Sequence, residues 1–101
     1  HDFDGMLRAF DEAMPEGERL GAYLDSVEVP VSELQLGDMV WMRDVGDEIR
    51  AYPVVGFGSG TINGRDCNGV AYVKRYDHDG DYSWNCNNYP QGKTCRIVPR
   101  K

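Results

Sequence analysis

Cys67, Cys86, Cys95 and His78 are enough side chains, in number and in type, for a tetrahedral zinc site. No two of them have the C-x2-4-C spacing that builds a zinc knuckle, so the spacing does not support a metal centre. Asp77, Asp79 and Asp81 alternate as calcium ligands do, but Gly80 comes two positions ahead of the EF-hand glycine and Asn88 stands where the bidentate Glu belongs. A polar hairpin tip accounts for these residues more simply. Nucleophilic catalysis needs a base held in fixed geometry, and the two histidines, His1 and His78, fall at the start of the chain and on a turn. Cys67, in Arg65-Asp66-Cys67-Asn68-Gly69, reads as a loop cysteine. Gly56-Phe57-Gly58-Ser59-Gly60 lacks the Lys-Ser/Thr ending of a phosphate loop, and no helix pattern follows to supply a dipole. That Gly56–Gly60 stretch reads as a flexible loop free to close over a ligand or partner. Neither a cofactor nor a metal is expected, and the reading is non-enzymatic.

Charge is distributed unevenly. Residues 1–50 carry 13 acidic and 4 basic side chains, a net of −9, whereas residues 51–101 carry 4 and 7, a net of +3. The first half has the wrong sign for phosphate contacts, so no direct nucleic-acid binding is expected from it. It has the right sign for a basic protein surface, with solvated helix faces as the structural alternative.

The 101 residues suffice for one core, and a single domain over 1–101 is expected, with a helical segment at 1–26 and a β-barrel at 27–101. No apolar run is long enough to cross a bilayer, so no membrane partner is expected. His1-Asp2-Phe3-Asp4 is acidic where a secretory leader is basic, and three cysteines make an odd count. Both features point to a cytoplasmic location.

Phe3, Met6, Leu7, Phe10 and Met14 recur at steps of three and four, which predicts a helix over 3–14. Met14-Pro15 interrupts it, because proline lacks an N–H and disfavours helix in the residue before it. A second, shorter helix follows to Leu24, with Leu20, Tyr23 and Leu24 as its apolar side. Beyond Ser26 the period changes to two. Strands are predicted at 39–44, 49–55, 70–76, 82–87 and 95–98, with turns at Val45-Gly46-Asp47, Gly56 to Gly64, Asp77 to Gly80 and Asn87 to Gly92. Pro53 pushes the second strand toward a sheet edge or a bulge.

Asp79-Gly80 is a favoured two-residue hairpin turn. It pairs Val73 with Cys86 and puts Ala71, Val73, Tyr82, Trp84 and Cys86 on one face, the predicted core. Tyr72, Lys74, Tyr76, Ser83, Asn85 and Asn87 lie on the other. A Tyr72–Lys74–Tyr76 stripe can serve as a binding platform, or the tyrosines can lie as core beneath the helices. A turn at Tyr89-Pro90-Gln91-Gly92 would set Cys86 opposite Cys95, either as a cross-strand disulfide or as two buried thiols, the second being expected in a reducing compartment.

Glu33-Leu34-Gln35-Leu36-Gly37-Asp38-Met39-Val40 resembles the L-x-x-G-D-x-V lead-in of SH3-like small barrels and of intein Hint domains. The resemblance implies a leucine plugging the barrel floor and a Gly-Asp turn into the first strand. Intein chemistry is not implied, since the nucleophile and the Thr-x-x-His block are missing. The expected architecture is therefore α+β: a helix pair packed on a five-stranded, mostly antiparallel, partly open SH3-like barrel. In size and charge the chain is similar to small acidic accessory proteins of phages and mobile elements that engage a basic host protein. Glu16, Glu18, Asp25, Tyr72, Lys74 and Tyr76 are the candidate contacts of such a protein-binding module. A structural part of an assembly, or a barrel that binds a small ligand or an oligonucleotide, is the alternative.

Overall fold

The computed structural model describes residues 3–43, 49–75 and 82–100; within these, the side chains of Phe3, Asp4, Glu16, Ile62, Lys74, Arg75 and residues 82–85 are not described. Helices α1 (Phe3–Ala13) and α2 (Glu16–Leu24) precede six strands: β1 (Val27–Pro30), β2 (Met39–Arg43), β3 (Ile49–Ile62), β4 (Arg65–Arg75), β5 (Tyr82–Pro90) and β6 (Thr94–Ile97). All pairings are antiparallel, in the order β1-β6-β2-β3-β4-β5. The class is α+β, with a sheet that does not close into a barrel. Among the described residues no helix is long and apolar enough to cross a membrane.

The helices form where the periodicity places them, and Pro15, at φ −56°, separates them. Leu7 and Phe10 of α1 are buried. Phe10 packs with Trp41 and Ala51, joined by Met14, Ala22 and Tyr23, so both helices cover one side of the β2–β3 ladder. The other side of that ladder is buried as well. Val40 and Val54 pack there with Val31, Leu34, Val70 and Ile97. A ladder buried on both sides reads as a continuous apolar run rather than an alternation, as Met39-Val40-Trp41-Met42 does.

Six strands replace the five expected. The additional one, β1, is short and ends at Pro30, and it pairs with β6 through Val27↔Ile97 to Pro30↔Thr94. The expected Gly56–Gly64 loop is also strand. β3 runs through it and pairs with β4 from Phe57↔Val70 to Ile62↔Arg65. Asn63 at φ 52° and Gly64 at φ 77° form the connecting turn, and two consecutive positive φ angles are what a tight hairpin of right-handed twist requires. Pro53 is not on an edge strand: β3 lies between β2 and β4. The ladder tolerates it because Val54 N–H bonds Asp38 O at 2.9 Å, which turns the proline nitrogen away from β2, and pairing with β4 starts only at Val54↔Tyr72. A bulge follows at once, between Val54 and Gly56.

β4 and β5 pair with Ala71↔Cys86 and Val73↔Trp84, two residues from the predicted register. An even slip preserves the alternation, so the division of residues between faces stands while their partners change. The turn expected at Asp79-Gly80 lies outside the described residues, as do Tyr76, His78, the Asp77–Asp81 acidic positions and the Val45-Gly46-Asp47 turn. The face expected to be wet is covered at its centre, where Val70 and Tyr72 are buried. On the face expected to be core, Val73 is buried and Cys86 is exposed.

The predicted Tyr89–Gly92 hairpin does not form. β5 pairs with β4, and β6 pairs with β1 and β2, so Cys86 and Cys95 are not cross-strand partners. Cys67, Cys86 and Cys95 are free thiols, of which Cys67 is buried and Cys95 half-buried. Gln91, Gly92 (φ 84°) and Lys93 instead carry the chain from β5, at one edge of the sheet, to β6, beside the other. So short a link reaches about 14 Å at most, which forces the two ends of the sheet to approach each other.

Tyr72 is 9% exposed and stacks on Tyr52 with ring centroids 5.7 Å apart, beside Leu7. Its truncation is therefore a core deletion. Tyr72→Ala should lower unfolding free energy by about 3 kcal/mol in urea titration; a loss under 0.5 kcal/mol would show a ring outside the core.

Candidate functional site

The Gly-Asp turn holds a polar network built on Asp38, Arg100 and Gln35. Gly37, at φ 87°, lets the chain reverse tightly, and Asp38 N–H returns to Gln35 O at 3.1 Å. The buried Asp38 carboxylate accepts Gln35 N–H at 2.8 Å and a two-pronged contact from Arg100, Nε to Oδ1 at 2.9 Å and Nη2 to Oδ2 at 2.8 Å. Arg100 Nη2 also donates to Glu33 O at 3.1 Å. Burial alone pushes the Asp38 carboxyl up, but the Arg100 hydrogen bonds, the Gln35 N–H and the Arg100 charge together hold it below the ordinary carboxylate value. The network ties the end of the chain to the start of β2.

Beside it runs an open groove of about 540 Å³ between Met6 and Ala9 of α1, Leu36 and Met39 of the turn, and Val98 to Arg100. Its walls are mostly apolar. Its two charges, Asp38 and Arg100, are paired with each other.

The second candidate is the outer surface of α2. Leu20 and Leu24 were expected to face inward with Tyr23, but they are 59% and 67% exposed. Tyr23 decides the helix's rotation. Its ring meets Trp41 edge-on at 6.0 Å, and Arg96 sits over its other side at 5.6 Å from the centroid. With Ala22 and Tyr23 turned inward, Leu20 and Leu24 share the outer side, one helical turn apart. Val27, the first residue of β1, is also exposed. Glu18 and Asp25, on the same helix and its cap, are exposed, and neither has an ion-pair partner among the described residues. Glu28 meets only the partly exposed Arg96 at 3.5 Å. Arg96 is otherwise engaged at the end of α2, donating from Nε to Ser26 Oγ at 2.8 Å and from Nη2 to Ser26 O at 3.3 Å.

Of the residues singled out in the sequence, Glu16, Glu18 and Asp25 share α2 and its C-terminal cap, with the Glu16 side chain not described. Tyr72 and Lys74 lie on β4, away from them in the sheet order; Tyr72 is buried, the Lys74 side chain is not described, and Tyr76 lies outside the described residues. Tyr72, being buried, does not share the exposed α2 surface with Glu18 and Asp25. Sequence reasoning missed Arg100, whose partner is 62 positions away, and it missed the outward face of Leu20 and Leu24. Among the described residues no three His, Cys, Asp or Glu side chains gather as metal ligands would.

A carboxyl held below its unfolded value stabilises the fold above that value, near 3.9, and the contribution is lost as pH falls through the folded one. Arg100→Gln leaves burial less opposed, so the Asp38 carboxyl rises and acid unfolding should move to higher pH than in wild type, by far-UV circular dichroism. An unchanged acid midpoint would show that the Asp38–Arg100 contact does not contribute in solution.

Comparison with protein-family models, with curated proteins and with solved structures finds no match to this chain. Any functional reading must therefore stand on these surfaces.

Proposed function

We propose that this chain is a non-enzymatic protein-binding module, and that its contact surface is the outer side of α2, an apolar strip of Leu20 and Leu24 rimmed by Glu16, Glu18 and Asp25. The carrying observation is the exposure of those two leucines on a helix whose Glu18 and Asp25 are exposed and make no ion pair among the described residues. An apolar centre within a charged rim is the general anatomy of a protein contact: the centre supplies most of the affinity, and the rim sets the approach rate and the choice of partner. The matching partner is a protein whose own apolar patch is rimmed by Lys and Arg.

The acids are not equivalent. Glu16 and Glu18 sit in the first turn of α2, where carboxylates complement the helix dipole, and they have a structural explanation. Asp25 caps the C-terminal end, where an anion opposes the dipole, and no basic residue occupies the last turn. Arg96 bonds Ser26 at the same helix end, yet Asp25 makes no ion pair among the described residues, which leaves its charge open to an outside partner.

The accessory-protein reading, of phage or mobile-element style, accords with this charge pattern. An SH3-like small barrel as scaffold is supported by the Gly37-Asp38 lead-in and by the three-residue link between β5 and β6. An assembly component remains the second reading, and the uncharged edge described below favours it.

The test separates binding from folding. A partner captured by the intact chain is titrated calorimetrically at two salt concentrations. Reversal of Glu16, Glu18 and Asp25 to Lys should weaken it at least ~10-fold and flatten its salt dependence, and Leu24→Ala should weaken it at all salt concentrations. Asp25→Asn should weaken binding while leaving the melting temperature equal or slightly raised. Unchanged affinity in the triple reversal would remove this reading.

A further inference from the structure

β3 changes its surroundings along its length. From Ile49 to Pro53 it pairs with β2 on one side. From Gly56 to Ile62 it pairs with β4, and among the described residues nothing pairs with its other side. This is a seven-residue free edge, Gly56-Phe57-Gly58-Ser59-Gly60-Thr61-Ile62. Free edges are usually guarded by lysine, proline or an inward-pointing charge, because their unpaired N–H and C=O groups template another strand. This one contains none of those residues. The bulge at Val54/Gly56 precedes the segment and does not interrupt it.

We infer that this edge is a self-association site, at which Gly56–Ile62 of two copies pair antiparallel about a two-fold axis through Ser59. Three observations select a second copy as the occupant. The segment is self-complementary: centring on Ser59 uses all seven positions, setting Phe57 opposite Thr61 of the other copy and Ser59 opposite its equivalent. Aromatic against β-branched is a favourable cross-strand pair. The alternate positions Gly56, Gly58 and Gly60 have no side chain to obstruct approach, and at Gly58 and Gly60 even an added Cβ would meet nothing within 4 Å. Finally, each chain carries a net charge of −6, so two copies repel, and they meet most easily through an uncharged stretch. Phe57, 51% exposed, would be partly covered by the pairing. A two-fold pairing consumes this edge in both copies, so association through it stops at two.

This inference does not rest on the α2 surface, and salt separates them. Screening weakens attraction between an acidic surface and a basic partner, and it strengthens a contact between like-charged copies. Sedimentation equilibrium over a wide concentration range, on wild type, Ser59→Lys and Leu24→Lys, tests it. Wild type should rise with concentration from the mass of one chain toward twice that mass, and associate more tightly in high salt. Ser59→Lys, at an exposed position where it would face its own copy, should raise the dissociation constant at least ~10-fold with an unchanged circular dichroism spectrum. Leu24→Lys should leave it unchanged. Hydrogen exchange should show alternate amides within 56–62 gaining protection as concentration rises. Wild type that stays a single chain throughout, a dimer unaffected by Ser59→Lys, a dimer abolished by Leu24→Lys, or growth beyond two copies would each overturn the inference.

Discussion

The burial of Trp41 between Phe10 and Tyr23 is the contact on which the rest of this structure turns. Phe10 meets the indole edge-on at 5.4 Å, and Tyr23 meets it at 6.0 Å from α2, so one side chain of β2 fixes both helices to the sheet. The indole Nε1 is buried without a hydrogen-bond partner among the described residues. That omission costs about 1–3 kcal/mol. The two ring contacts return about 0.5–1.5 kcal/mol each, and the indole's buried apolar area tips the balance toward the observed packing. The functional consequence is indirect. Because Tyr23 takes the inward position, Leu20 and Leu24 have nowhere to go but out.

The remaining half of the fold is set by how tightly the sheet curls. β3 serves as a shared strand, laddered to β2 along its first part and to β4 along its second, with the bulge between Val54 and Gly56 marking the change. A bulge adds local twist, which lets the β3–β4–β5 portion turn away from β2. The short link through Gly92 requires that turn, since β5 must end near the start of β6. The same bend frees the second half of β3 from β2 and so creates the edge at Gly56–Ile62. Opposite it, the Asp38–Arg100–Gln35 network closes the chain's last residues over the start of β2.

Legibility in the sequence followed the strength of local signals. Helix α1 was legible because Leu7 and Phe10 repeat at helical spacing and truly face the core. The extent of α2 was legible, but its rotation was not: Leu20, Tyr23 and Leu24 form an apolar side on a helical wheel, and only the long-range contact of Tyr23 with Trp41 shows which of them turns in. β1 was missed because four residues ending in Pro30 carry too short an alternation. The second half of β3 was missed because glycine at alternate positions imitates a loop, although Asn63-Gly64 is itself the strongest short hairpin signal. The division of β4 and β5 residues between two faces was read correctly, but their partners and the burial of each face were not, since alternation is a local property while register and packing are not. Arg100 could not be assigned to Asp38 from sequence, because nothing local links positions so far apart.

The places where this chain breaks the ordinary rules of local stability lie on its surface. Its buried carboxylate obeys them: Oδ1 of Asp38 accepts from Arg100, and Oδ2 accepts from both Arg100 and Gln35. The departures are Leu24, an apolar residue mostly in water; Asp25, an anion at the wrong end of a helix; and an uncharged strand edge without a guard. Each carries a cost or a hazard that a neutral substitution would remove at no loss to the core. Natural sequences tend to agree with themselves at every level, and their violations collect where function intervenes. On that argument the core, from Trp41 to Tyr72, is scaffold, and the contacts proposed for this protein fall on the two surfaces, α2 and the free half of β3, where the local rules are broken.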